Sequence, residues 1–219
     1  MKVSVILGSP RRKGNSATLA RIIAGSLAER GAEITLHLLN DLVFKGCQGC
    51  GACKKSSEVC VVNDELAPVL EDVRAAEVLI LATPVYWGEV SAQLKAFIDR
   101  TYSYLTPDFM TAAKKHRLPP GKKLVFIQTQ GADDPALFGD IFPRYNTFFE
   151  QLGYFTQCWL IRGCALNEPN AVHGRQDLLD QALTVAREIV AISAGSSSFQ
   201  ATADNHAARS LPGSAKSMR

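Results

Sequence analysis

Residues 3–23, VSVILGSPRRKGNSATLARII, divide into a short β-branched run, a loop punctuated by Gly8, Pro10 and Gly14, and an amphipathic helical stretch. A buried strand that feeds a helix through such a loop is the repeating unit of a parallel sheet covered by helices. The same geometry points loop N–H groups and a helix N-terminus at one spot, where the positive end of the helix dipole favours an anion. Ser9, Asn15 and Ser16 supply side-chain donors there, and Arg11 or Arg12 supplies a permanent cation with fork geometry. The plainer alternative is a polar turn in which Asn15 or Ser16 caps the helix.

Spacing narrows the choice of anion. Asn15 follows Gly14 where a nucleotide-binding P-loop would place lysine, and the loop lacks Gly-x-Gly-x-x-Gly for a pyrophosphate. A terminal monophosphate such as that of FMN is the better match.

The strand-then-helix rhythm continues along the chain. Strands are expected at Val3–Leu7, Glu33–Leu38, Val78–Ala82, Leu124–Gln128 and Tyr154–Ile161, and helices at Ser16–Arg30, Asp64–Ala75, Ser91–Tyr102, Pro135–Gln151 and Gln176–Ser193. Five of each in alternation predict a flavodoxin-like doubly wound α/β fold, a five-stranded parallel sheet with helices on both faces. Its ligands sit beyond the C-terminal ends of the strands. Residues 106–123 interrupt the rhythm with a breaker-rich excursion, expected to be either a flap or an oligomer contact. The domain is expected to span residues 1–194, and 195–219 form a low-complexity tail poor in large apolar residues.

Composition sets outer bounds. The chain has 219 residues, 47% of them apolar, which is enough for one well-buried core. A net charge of +3 without a dense Lys/Arg stripe argues against nucleic acid as a partner. The apolar run of MKVSVILGSP ends too early for a signal peptide, and no run of about 18 apolar residues occurs, so a cytoplasmic, non-membrane protein is expected.

Two further loops fall at strand ends. After the third strand, Pro84, Val85, Tyr86, Trp87 and Gly88 combine a fixed backbone path with aromatic faces, a lining for a planar heterocycle. Trp87 also suits a half-buried interface. After the fourth strand, Thr129, Gln130 and Gly131 offer donors and an unhindered backbone, and Asp133 or Asp134 can cap the next helix. Three ligand-competent loops at adjacent strand ends point to one crevice.

Between the first two of these loops, GCQGCGACKKSSEVC (46–60) gathers four of the six cysteines: Cys47, Cys50, Cys53 and Cys60. Structural zinc sites usually pair two C-x2-C knuckles across a longer stretch. Consecutive C-x2-C-x2-C spacing instead presents three sulfurs from one Gly-rich turn, and Cys60 can add a fourth ligand to a 4Fe–4S cluster. Ferredoxin runs have a shorter last gap and a following proline; this chain has Val61. Zinc and redox-active or structural thiols remain the alternatives. Cys158 and Cys164 lack such spacing and are expected to be buried strand residues.

The combination of GSPRRKGNS, GCQGCGAC and TPVYWGEVSAQLKAFIDR closely resembles the NADPH-dependent FMN reductase family of flavodoxin-like proteins, in particular its iron-sulfur flavoprotein branch. The resemblance covers residues 1 to about 190. It implies non-covalent FMN, with phosphate at Ser9, Arg11, Asn15 and Ser16 and the ring against Pro84–Gly88 and Thr129–Gly131. It also implies a homodimer or homotetramer with FMN near a subunit boundary.

An oxidoreductase is therefore expected, with NADPH or NADH as co-substrate, or with a protein donor such as ferredoxin and a separate acceptor. The protein's share of such chemistry is positioning and tuning. His37, His116, His173 and His206 are scattered, so no acid–base residue is assigned. The alternative from another class is a redox or metal sensor built on the cysteine loop.

Overall fold

Along the first strand, Val3, Val5 and Leu7 join one buried cluster and Ile6 the opposite one, the period-two pattern of a sheet covered on both faces. The computed structural model describes residues 1–193; the stretch 195–219 lies outside the described residues. Strand β1 spans Lys2–Leu7, β2 Glu33–Leu38, β3 Val78–Tyr86, β4 Glu89–Val90, β5 Lys123–Thr129 and β6 Gln157–Gly163. Helix α1 spans Asn15–Ala28, α2 Ala52–Lys55, α3 Leu66–Ala75, α4 Ala92–Arg100, α5 Ile141–Leu152 and α6 Gln176–Ser193.

The parallel strands lie in the order β2-β1-β3-β5-β6, the flavodoxin-like doubly wound arrangement, whose switch point falls between β1 and β3. One core joins α1 and α6 to Val5, Ile80, Val125 and Ile127. The other joins α3, α4 and α5 to Ile6, Leu79, Leu81 and Phe126. No described helix is long and apolar enough to cross a membrane.

Some boundaries differ from expectation. β3 does not stop at Ala82 but runs to Tyr86, because Pro84 tolerates extended backbone and forfeits only one ladder N–H. It then turns back through Trp87 and Gly88 to β4, pairing Val85 with Val90 and Tyr86 with Glu89. Positive φ at both turn residues (+50° and +75°) is the pattern of a tight two-residue hairpin, and a bulky residue such as Trp87 rarely adopts it. The fifth helix begins at Ile141 rather than Pro135, since residues 135–140 form turns. Asp134 Oδ1 accepts the Ala136 N–H within them and does not cap α5, whose N-cap is Asp140. Strand β6 starts three residues later than expected. Cys158 on it and Cys164 just past it are half-buried rather than buried. The excursion at 106–123 closes through Thr106 N–H to Lys115 O and Arg117 N–H to Tyr104 O.

Two buried polar groups give direct tests. Ser4 Oγ is buried without a hydrogen-bond partner among the described residues. Ser4→Ala should therefore raise the unfolding free energy by about 1 kcal/mol in urea titrations. Lys122, 3% exposed, donates through Nζ to Val73 O (2.8 Å) and to Ala76 O at the end of α3. Burial lowers its pKa from 10.5 to about 8. Between those values the unfolded chain holds more protons than the folded one, so this group makes stability rise as pH climbs from 8 toward 10. Lys122→Met should remove that rise.

Candidate functional site

At the C-terminal end of the sheet, the loops after β1, β3, β5 and β6 enclose a cavity of about 160 Å³. Ser9, Arg11, Asn15, Ser16, Pro84, Val85, Tyr86, Thr129, Gln130 and Gly131 line it, joined by Gly14, Leu166 and Asn167. Trp87 and Gly88 do not: they form the hairpin tip beyond Tyr86, and Trp87 is fully exposed.

The first loop is drawn tightly over the sheet. Gly8 N–H donates to Ala82 O, and Ser91 Oγ donates to Gly8 O at 2.7 Å. Ser91 also caps α4 by accepting the Leu94 N–H, and its own N–H donates to Thr83 Oγ1. A side chain at Gly8 would meet Leu94 Cβ and Ser91 Oγ at 2.8 Å, so β1 and α4 approach only through glycine.

Helix α1 opens on Gly14 with no side-chain cap and no acidic residue in its first turn. Its first N–H groups, from Asn15 onward, have no carbonyl within the helix to bond and remain available at the cavity. Neither Asn15 nor Ser16 is the cap. The Asn15 side chain is engaged elsewhere: Nδ2 donates to Leu166 O (3.2 Å) and Glu168 O (3.0 Å), and Oδ1 accepts the Val172 N–H. It therefore ties α1 to the loop after β6 and leaves its backbone N–H to face an anion. Arg12 pairs with Asp41 at 2.7 Å, whereas the Arg11 side chain makes no ion pair or hydrogen bond among the described residues. Of the two candidate cations, Arg11 is the one at the cavity. The hydroxyls of Ser16 and Thr129, both residues buried, likewise have no hydrogen-bond partner there.

Gln130 is also engaged. Its Nε2 donates to Ala132 O, Asp134 O and Leu137 O, while Oε1 accepts from Arg162 Nη2 at 2.9 Å. Arg162 holds the same loop by donating to Pro135 O and Leu137 O. Gln130 thus shapes the loop, and Thr129 and Gly131 face the cavity. A Cβ at Gly131 would lie 2.3 Å from Asn167 Oδ1, so the Asn167 amide crosses the glycine at the rim. Leu166 and Asn167 escaped the sequence reading because no motif marks them. The topology rule was the usable signal, since the fifth parallel strand also ends at this crevice.

The four cysteines of residues 46–60 come together elsewhere. Cys47, Cys50, Cys53 and Cys60 line one cavity of about 280 Å³ with Arg100, Tyr102 and Ser103. Among the described residues no three cysteine, histidine or acidic side chains stand as an assembled metal site. The donor set nevertheless fits a thiolate-ligated centre: four free cysteines line one space, Gly49 and Gly51 bend the loop with positive φ, and the Arg100 guanidinium lines the same space. Lys54 Nζ lies 3.6 Å from Cys53 Sγ and donates to Tyr102 O and Leu105 O. Burial lowers its pKa, with Cys53 opposing. Arg117 donates to the carbonyls of Cys53, Ser103 and Leu105, so the 106–123 excursion braces the cysteine loop and does not line the first cavity.

Arg100, the last residue of α4, is fully buried and pairs with Asp64 at 2.8 Å. Burial works against both charges. Their mutual hydrogen bond and attraction, together with the further hydrogen bonds each group makes, outweigh it, holding the guanidinium above and the Asp64 carboxyl below their ordinary ranges. No described residue lines both cavities. Ser91 at one end of α4 touches the first loop and Arg100 at the other lines the cysteine cavity, separated by about 13 Å of helix rise.

Residues 1–136 match the family model described as NADPH-dependent FMN reductase. An iron-sulfur flavoprotein of Methanocaldococcus jannaschii is 41% identical over 101 residues, which cover 46% of this chain and 52% of that protein. An iron-sulfur flavoprotein of Methanosarcina thermophila is 37% identical over 101 residues, with the same 46% and 52% coverage. The chain thus spans about half the length of these curated relatives. Among solved structures, an NAD(P)H:quinone oxidoreductase from Methanothermobacter marburgensis superposes with a TM-score of 0.67 at 18% identity, covering 87% of this chain and 97% of that one. At that identity the likeness is one of fold.

Proposed function

This chain belongs to the NADPH-dependent FMN reductase family, and from that premise we propose that it is an FMN-dependent oxidoreductase whose flavin seats in the cavity beyond β1, β3 and β5. The observation that carries the proposal is the unmet donor set at one end of that cavity. It comprises the uncapped N-terminus of α1, the unpaired Arg11 and the free hydroxyl of Ser16. Together these suit a phosphate dianion. Ser9 shapes the loop by accepting the Arg11 N–H, and Asn15 contributes its backbone rather than its side chain.

At the other end, Pro84, Val85 and Tyr86 form one wall for a flat ring, and Thr129 and Gly131 form another, with Gln130 fixing the loop between them. Trp87 and Gly88 hold the hairpin that presents Tyr86, and Asn167 closes the rim. When bound, FMN supplies hydride acceptance from NADPH or NADH and one-electron exchange. The chain's part is to hold phosphate and ring, to shield the ring with Tyr86, and to offer the Thr129 hydroxyl and the Gly131 backbone to its polar edge, the Gln130 N–H being taken by Gly163 O.

The proposal extends to a 4Fe–4S cluster on Cys47, Cys50, Cys53 and Cys60, which supplies single-electron steps when bound. Four cysteines lining one cavity and relatives named iron-sulfur flavoproteins support it. Electrons exchanged between the two sites would travel the length of α4 or cross a boundary in a homodimer or homotetramer. Donor identity is tested by following flavin absorbance anaerobically with NADPH, NADH and reduced ferredoxin. Fast bleaching by a nicotinamide alone supports the reductase role, and bleaching only by ferredoxin supports the transfer role. A chain that binds no FMN contradicts both.

A further inference from the structure

The C-x2-C-x2-C spacing presents three sulfurs from one turn, but six residues separate Cys53 from Cys60 and no tight turn fixes the fourth. Arg100 supplies the missing constraint. A guanidinium carries five N–H donors, and Arg100 places all of them on residues 45–64. Nε donates to Cys60 Sγ at 3.1 Å. Nη1 donates to Lys45 O and Asp64 Oδ2, both at 2.8 Å. Nη2 donates to Val62 O at 3.0 Å and Asp64 Oδ1 at 3.3 Å. One rigid side chain on α4 therefore fastens both stems of the cysteine loop and the sulfur of Cys60. Cys47 and Cys50, by contrast, are exposed, with no donor to sulfur among the described residues.

We propose that Arg100 is the positioning residue that presents Cys60 as the fourth sulfur of the cysteine loop, an inference resting on the reading of that loop as a 4Fe–4S site. The Nε–H contact fixes the sulfur of Cys60, a residue that lines the same cavity as Cys47, Cys50 and Cys53. The buried charge and the N–H···S contact stabilise the more reduced, more negative state of a thiolate-ligated centre, which raises its potential.

The test reconstitutes the full chain with ferrous iron and sulfide under anaerobic conditions. Wild type, Arg100→Lys, Arg100→Met and Cys60→Ala are compared by iron and sulfide content, rate of iron loss to a chelator, and midpoint potential. Wild type should hold four iron and four sulfide per chain. Arg100→Met should lose iron at least about tenfold faster and shift to lower potential. Arg100→Lys keeps the charge but has three donors, so its potential should stay near wild type while retention falls between the two. It also serves where the Met variant fails to fold. Wild-type retention and potential in both Arg100 variants would overturn the inference and leave the cluster reading standing, whereas a full cluster in Cys60→Ala would overturn the inference together with Cys60 as a ligand. A wild-type chain that takes up no iron would overturn both.

Discussion

Arg11→Glu should weaken FMN binding by about a hundredfold or more and leave riboflavin binding nearly unchanged. In the phosphate site proposed at the first loop, Arg11 is the cation without a competing partner, since Arg12 is held by Asp41. A charge-assisted hydrogen bond contributes about 1.5–3 kcal/mol. Replacing the cation by a carboxylate near the phosphate adds roughly 1 kcal/mol of repulsion at an exposed position. With 1.4 kcal/mol per tenfold change, the sum is about two to three decades. Because the Arg11 side chain makes no ion pair or hydrogen bond among the described residues, thermal unfolding without flavin should match wild type. A large drop in melting temperature would instead assign Arg11 a structural role.

Arg100→Met should lower the unfolding free energy of the metal-free chain by about 3 kcal/mol in urea titrations. Breaking a buried pair leaves its partner uncompensated, and Asp64 is only 13% exposed. The carbonyls of Lys45 and Val62 lose their donors at the same time. Asp64 keeps the N–H groups of Lys45 and Leu66, which places the loss at the lower end of the usual range. The pH dependence should change as well. The Asp64 pKa lies below its unfolded value, so its stabilisation is complete above about pH 4 and is lost as pH falls through the folded value. In the variant, this contribution to acid unfolding should flatten.

Local chemistry made the fold legible. Near-continuous apolar runs at Val3–Leu7, Val78–Ala82 and Leu124–Gln128 mark strands buried on both sides, and the intervening helical periodicity leaves few ways to connect them. The order of strands then brings the loops after β1, β3 and β5 to one end of the sheet. The continuation of β3 through Pro84 was harder to see, because proline reads as a breaker although it suits the last pair of a strand.

Side-chain engagement was not legible. Asn15 and Gln130 have the right chemistry for ligands, yet their amides bind carbonyls at 132–137 and 166–168 that come near only once the chain is folded. No motif marks Arg100 in the sequence. Its burial depends on the path of residues 45–64, which follows no regular period. The spacing of the cysteines predicted a shared turn, and the four do line one cavity, but nothing in the spacing indicated that it lies at the far end of α4 from the first loop.

The cavity beyond β1, β3 and β5 is proposed to hold FMN by its phosphate at the N-terminus of α1. Calorimetric titration of the flavin-free chain with FMN and with riboflavin tests it most directly. One FMN should bind per chain, about a hundredfold more tightly than riboflavin. Equal affinity for the two flavins, or no heat from either, would contradict it.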